Sequence, residues 1–229
     1  MQIVDQSIEV LTKIPYEDAV KLVEEAGRTC YKSESKGTIS GAEKFIKGII
    51  KSGHESVIEH FNITVRVITD RGTTHQIVRH RLASYSQEST RYCNYSKDKF
   101  GKEITVIRPD FNEDSLNYKN WKSLCECSET AYMQLLEDGA SPEQARSVLP
   151  TCLKTELVMT MNAREWRHFL KIRTDKAAQK EIRILSKMIL EEFKEKYPVF
   201  FEDIQWCILV HKPSTVNQYA KKNFFKFFF

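Results

Sequence analysis

Glycine is scarce in this chain, with eight in 229 residues, and none stand in the GxGxxG or GxxxxGKS/T spacings. Those loops let backbone close around a pyrophosphate, so a Rossmann or P-loop nucleotide site is excluded. Cysteine is sparse and scattered, at 30, 93, 125, 127, 152 and 207, without the paired CxxC knuckles of a structural zinc site. Cys125-Glu126-Cys127 lies in a helical pattern and reads as two unrelated helix positions. No run approaches the roughly 20 apolar residues that span a bilayer. The opening Met1-Gln2-Ile3-Val4-Asp5 has neither the basic region nor the apolar run of a secretory leader. A large excess of one charge sign is also lacking. The net charge of +4 suits a binder of small anions better than a protein with a concentrated nucleic-acid face. These absences lead to the expectation of a cytoplasmic protein with reduced thiols and no membrane or nucleic-acid partner.

What is present is an ordinary globular composition, 41% hydrophobic and 29% charged, sufficient for a real core. A single domain is expected over residues 1–215, followed by a Phe-rich tail over 216–229. Apolar spacing predicts a helix from Tyr16 to Tyr31, with Ala19, Leu22, Val23 and Ala26 on one stripe. A second helix runs from Gly41 to Ser52 and ends at Gly53. Phe61 to Ile68 alternates as a half-buried strand. Thr73 to Ala83 reads as helix, Lys102 to Arg108 as strand, and Ser115 to Asp138 as a long amphipathic helix. Ser141, Pro142 and Gln144 form a helix start with a capping box. Lys154 to Met161 reads as strand. Asn162-Ala163-Arg164-Glu165 is a second capping box, opening a helix to about Arg173, and another helix spans Lys176 to Lys196. The fold class predicted is α+β: mixed helices and a central antiparallel sheet with a helical half attached.

Polar chemistry gathers in three places. Arg79-His80-Arg81, seven residues and then Ser89-Thr90-Arg91 concentrate guanidinium groups and hydroxyls in one short stretch. Guanidinium forks match phosphate oxygens, so this cluster points to an anion site. On a continuous helix Gln76, Arg79, His80 and Ala83 would share a face, while Arg81 would point about 200° away from Arg79. The helix therefore breaks, or the two arginines serve different ligands or different subunits. The second cluster, Gly53 to Phe61, holds His54, Glu55, Glu59 and His60, but the HExxH and HxxEH spacings are absent; it reads as a turn leading into the strand, with contact to an organic cofactor open. The third holds Asn162, Arg164, His168 and Arg173, the last at the end of an apolar stripe with Trp166, Phe169 and Leu170.

The pattern Arg-His-Arg-x7-Ser, with Gly53-His54-Glu55, Ala145-Arg146-Ser147-Val148-Leu149-Pro150 and Asn162-Ala163-Arg164, resembles flavin-dependent thymidylate synthase. The similarity is continuous over 53–91 and 141–182. The resemblance implies reductive methylation of dUMP to dTMP, with methylenetetrahydrofolate as carbon donor and NADPH-reduced FAD as hydride donor. It also implies a homotetramer with active sites shared between subunits, and no covalent enzyme nucleophile. Carried over, Ser56, Arg79, His80, Arg81, Gln87, Asn162, Arg164 and His168 resemble flavin-contacting positions, and His54 matches a histidine near flavin and folate. Gln76, Arg79, Gln87, Glu88, Ser89, Arg91, Arg146 and Arg173 resemble the nucleotide site. Arg173 matches the arginine that favours ionisation of the uracil N3, and is the catalytic residue implied. Ser89 reads as a phosphate or base contact, because no base is assigned to activate it. Two departures stand out: Ser86-Gln87 where many members carry Asn-Glu, and His168 where some carry Asn.

Two other classes compete on residues alone. A nucleotide- or RNA-binding module without turnover would use the arginines and tyrosines, and its binding would fall steeply with salt. A metal-dependent hydrolase would use His54, Glu55, Glu59 and His60. No metal ligand is assigned.

Overall fold

Alternating side chains build the centre of the molecule. In β3 (Asn62–Asp70), Ile63, Val65 and Val67 are buried, and in β6 (Lys154–Asn162) Leu157, Met159 and Met161 are buried. The two strands pair antiparallel along their whole length, from Asn62 opposite Asn162 to Asp70 opposite Lys154. β2 (Ser7–Val10) extends the sheet beyond β3 and β4 (Ser84–Gln87) extends it beyond β6, giving the order β2-β3-β6-β4, antiparallel throughout. A separate parallel pair joins β1 (Gln2–Val4) to β5 (Thr105–Ile107). This computed structural model describes residues 1–35 and 37–205. The tail over 216–229 and the expected boundary at 215 lie outside the described residues.

Helices cover the apolar face of the sheet. α1 (Tyr16–Tyr31), α2 (Ile39–Lys51), α6 (Ala163–Arg173), α7 (Lys180–Lys196) and α8 (Pro198–Phe201) enclose one cluster that includes Val20, Ile46, Phe61, Trp166, Ile189 and Phe200. The Trp166 indole donates to the Ile63 carbonyl, 2.9 Å, and pins α6 onto β3. α4 (Leu116–Glu137) and α5 (Pro142–Ala145) build a second cluster with β5 around Val106, Tyr132 and Leu153. The α+β class with an antiparallel sheet and a helical portion is borne out. Cys125 is buried there, 3.5 Å from the Cys152 sulfur, whereas Cys127 is exposed. Among the described residues no helix is long and apolar enough to cross a membrane.

Local chemistry explains where the elements stop. α2 ends in a Schellman turn: Gly53 takes φ +74°, its N–H donates to Ile50, and His54 N–H donates to Ile49. The buried stripe of α1 is rotated from the expected one. It runs through Val20, Val23 and Gly27, leaving Leu22 44% exposed. A Cβ on Gly27 would come within 2.6 Å of the Phe45 ring, so the glycine sets how closely α1 approaches α2. α7 begins at Lys180 rather than Lys176, because Asp175 captures the Ala177 and Ala178 amides in a turn of its own.

The helix expected over 73–83 is shorter: α3 (Arg71–Ile77). Asp70 caps it, accepting the Thr73 amide and hydroxyl at 2.7 Å each. The Tyr85 hydroxyl reaches the carbonyls of Ile77 and His80 at 3.0 and 2.6 Å. In a continued helix the Ile77 carbonyl would accept the Arg81 amide instead. Tyr85 therefore closes the helix, and Ser84 to Gln87 cross to pair with β6.

Candidate functional site

The break after Ile77 turns His80 inward and leaves Arg79 and Arg81 on the surface. The shared helix face expected for Gln76, Arg79, His80 and Ala83 does not form, since three of the four lie beyond α3. His80 is 7% exposed and touches four residues of α6. Its Nδ1 lies 3.4 Å from Glu165 Oε1, and its Nε2 accepts from Arg173 Nε at 3.1 Å. The ring packs edge-on against Phe169 and His168. Burial, then the Arg173 and His168 charges, push the His80 pKa down to about 4. The imidazole is therefore neutral at physiological pH, and its contact with Glu165 is a hydrogen bond rather than an ion pair. Arg173 also donates to the Gln76 carbonyl, 3.1 Å, and burial lowers its own pKa. Gln76 in turn joins its side chain to Gln179.

Of the flavin set, Ser56, His54, His80, Asn162, Arg164 and His168 gather on or beside α6, whereas Gln87 stands apart on β4, opposite Leu157. Asn162 caps this helix, accepting the Glu165 amide at 2.9 Å. The capping box expected here is only half made, because the Glu165 side chain turns to His80. Arg164 reaches Glu59 at 2.6 Å, in the 3₁₀ segment Glu55–His60 that packs beside α6. That segment carries Ser56, with His54 just before it, both exposed. His168 is exposed one turn after Arg164. Among the described residues no hydrogen bond or ion pair holds the side chains of Arg79, Arg81 or Arg146.

The nucleotide set divides. Gln76 and Arg173 stand with His80. Gln87 is fixed by the hydroxyls of Thr74 and Thr155, 3.0 and 3.2 Å. Glu88 binds Lys154 at 3.0 Å and accepts the Tyr95 hydroxyl at 2.8 Å. Ser86, Gln87, Glu88, Phe100 and Lys154 border an open cleft of about 450 Å³. Arg91 pairs with Glu143 of α5, 3.1 Å, which brings the helix preceding Arg146 beside it. Arg146 itself follows α5 in a single 3₁₀ turn, rather than lying one turn inside a helix. The Ser89 hydroxyl accepts the Arg91 amide, and no hydrogen bond ties it to an imidazole or carboxylate among the described residues. A larger cleft, about 720 Å³, lies between α1 and the start of α2 and touches none of these residues.

Distance along the sheet separates the Glu88 part of the nucleotide set from the residues on α6. The Glu88 amide donates to the Glu156 carbonyl near the start of β6, while Asn162 ends that strand. Six residues of strand span about 20 Å. One chain thus presents the Glu88 edge and the Asn162–Arg164 edge well apart. His54, Glu55, Glu59 and His60 are not drawn into a ligand set either: Glu55 pairs with Arg167 and Glu59 with Arg164. The grouping whose ligand atoms do converge, His80, Glu165 and His168, has both His80 nitrogens engaged already.

Two residues that matter here escape a reading of the sequence. Glu165 reads there only as a capping residue. Arg167 has no role in that reading, yet it is 1% exposed and grips Asp203 with both terminal nitrogens at 2.6 and 2.7 Å. The signal that could find it is helical spacing, since Ala163, Arg167 and Leu170 fall on one line of α6.

Comparison with known proteins gives a consistent result. The family model described as thymidylate synthase complementing protein matches residues 10–199. A flavin-dependent thymidylate synthase of Geobacter sulfurreducens is 36% identical over 185 residues, covering 78% of each chain. One of Pyrococcus furiosus is 37% identical over 155 residues, covering 67% of this chain and 63% of its own. Among solved structures, a UMP/dUMP methylase, PolB from Streptomyces cacaoi, bound with 5-Br dUMP, superposes with a TM-score of 0.73 at 23% identity. It covers 88% of this chain and 96% of its own, a likeness of fold.

Proposed function

The chain belongs to the thymidylate synthase complementing protein family, and on that premise we propose that it methylates dUMP to dTMP. The carbon comes from methylenetetrahydrofolate, and NADPH with one proton supplies the two hydrogens that leave dTMP, tetrahydrofolate and NADP⁺. FAD, when bound, would supply the hydride relay from NADPH to the one-carbon unit on the nucleotide. A cytoplasmic setting with free thiols goes with this reading.

The observation that carries the proposal is the buried His80 accepting a hydrogen bond from Arg173, flanked in sequence by the exposed Arg79 and Arg81, whose side chains have no partner among the described residues. Arg79, Arg81 and Arg164, with Ser56, His54, Asn162 and His168, fit an extended anionic cofactor such as FAD: cations and hydrogen-bond donors lie along an open edge. His80 lends its ring edge to this wall and keeps its nitrogens for Glu165 and Arg173. Arg91, Arg146, Ser89, Gln87 and Glu88 take the nucleotide, the arginines on its phosphate. Arg79, assigned to both sets, and Gln76 take the nucleotide as well. Separation of the Glu88 and Asn162–Arg164 edges along β6 supports sites completed by a neighbouring subunit, as in a homotetramer.

Arg173 is the residue proposed to act on the reacting ring. A cation beside N3 stabilises the anionic uracil and raises electron density at C5, where the one-carbon unit is accepted. Ser89 forms no covalent bond to the substrate. The test is dTMP formation, read by mass spectrometry, from purified protein with dUMP, methylenetetrahydrofolate, FAD and NADPH. Product that vanishes when FAD or NADPH is left out supports the reading. Folded protein that binds dUMP and gives no dTMP points instead to a binding module. Arg173→Ala should retain flavin and lose turnover about 100-fold, the scale of removing one preorganised electrostatic group; parent-like turnover would refute its role.

A further inference from the structure

We infer that Glu165 is a positioning residue, which fixes the tautomer of His80 and through it the guanidinium of Arg173. The inference rests on the reading of Arg173 given above and adds a residue that reading does not use.

Glu165 is 8% exposed in the first turn of α6. A buried carboxylate is costly unless it has a partner, and burial raises its pKa. The usual employment of a glutamate at this helix position is the Asn162 amide, yet the side chain goes to the imidazole. Neutral imidazole has one N–H and one lone pair. Arginine can only donate, so the Arg173 contact makes Nε2 the acceptor and puts the proton on Nδ1. That N–H faces Glu165. Replace the carboxylate by an apolar group and the buried Nδ1–H loses its acceptor. The ring is then held by Arg173 alone, whose half-buried guanidinium can turn to solvent; the proton settles on Nε2, and the imidazole no longer accepts from Arg173. Arg173 would leave the ring, keeping only its bond to the Gln76 carbonyl. With two of its N–H groups fixed in the parent, the remaining donors are aimed; with one fixed, they are not.

The experiment is ring-nitrogen NMR of the isotope-labelled, FAD-loaded protein at neutral pH, with steady-state kinetics on the same samples. In the parent, His80 should carry its proton on Nδ1. Glu165→Leu should move it to Nε2, retain FAD, and lower kcat about 100-fold, the cost of displacing a catalytic group by about an ångström, with KM for dUMP within a few-fold. Glu165→Gln, whose amide oxygen still accepts, should restore the Nδ1 tautomer and most of the kcat. A parent ring protonated on Nε2, or on both nitrogens, overturns the inference without any variant. So does Glu165→Gln losing as much kcat as Glu165→Leu, or Glu165→Leu keeping the Nδ1 proton. If the parent itself makes no dTMP, the functional reading fails, while the ring spectra still decide the role of Glu165.

Discussion

Arg164 and Arg167 stand three residues apart on α6 and take their identical side chains to opposite ends. Arg164 is half exposed and touches one surface carboxylate, Glu59. Arg167 is 1% exposed, with Asp203, Glu55 and the Phe200 carbonyl arranged around it. Burial opposes its charge, but the hydrogen bonds it donates to Asp203 and Glu55 and the charges of those carboxylates together raise its pKa, and Arg167 holds the Asp203 carboxyl below its usual range. A buried guanidinium with its forks filled organises the chain and has few donors left for a ligand. An exposed one with donors to spare costs the fold little and can meet an anion. The same division separates Arg173, half-buried with its donors aimed, from Arg79 and Arg81, which no partner holds among the described residues.

The largest effect should come from breaking the buried end. Arg167→Ala removes the partner of Asp203 and Glu55 and strands the Phe200 carbonyl. A loss of about 3 kcal/mol is expected, at the low end for breaking a buried pair because Asp203 is itself half exposed. Urea unfolding measures it as a lower midpoint. Arg167→Met should recover part of that loss by filling the volume. An unchanged midpoint in Arg167→Ala would mean the pair is not structural.

A smaller effect should follow pH. His80 titrates at about 4 in the fold against about 6.5 unfolded. As pH falls from 6.5 toward 4, the unfolded chain takes up a proton that the folded chain refuses, so stability falls across that window. Above it both forms are neutral, and below it both are charged. The groups facing the ring are Arg173, His168 and Glu165. The raised pKa of Glu165 works in the opposite sense, since the folded carboxyl takes up its proton first. A net loss on the order of 1–2 kcal/mol is expected, and His80→Phe should flatten the slope. Thermal unfolding followed across this range, with parent and variant in the same buffers, is the check.

Legibility in the sequence follows the strength of periodic signals. β3 and β6 are readable because Ile63, Val65, Val67 and Leu157, Met159, Met161 alternate cleanly. β4 is not, because in Ser-Tyr-Ser-Gln only Tyr85 supplies an apolar inward position. The overshoot of the helix past Ile77 comes from the same tyrosine: its hydroxyl competes for a helix carbonyl from outside the segment, which no local pattern records. The polar clusters are visible as residue types in a row, and the structure keeps His80, Arg173 and Gln76 together. Their internal pairing is not visible, because Glu165 follows Arg164 in a run of charges and nothing in that run says which of them turns inward.

The smallest effect on the fold, and the sharpest test of the division, belongs to Arg164. Its pair with Glu59 is a surface pair, half exposed on both sides, worth about 0–1 kcal/mol. Alanine is also the better helix former at such a position. Arg164→Ala should therefore unfold within about 0.5 kcal/mol of the parent in urea. Its FAD affinity, read by quenching of flavin fluorescence, should nonetheless fall about ten-fold, the scale of removing one charge-assisted hydrogen bond. The affinity that remains should depend less on added salt. Arg167→Ala should show the reverse order, with stability reduced first and flavin binding affected only as the fold weakens. If Arg164→Ala proves as destabilising as Arg167→Ala, or binds FAD like the parent, exposure has not sorted the two arginines by task, and Arg164 belongs to the scaffold with its neighbour one turn on.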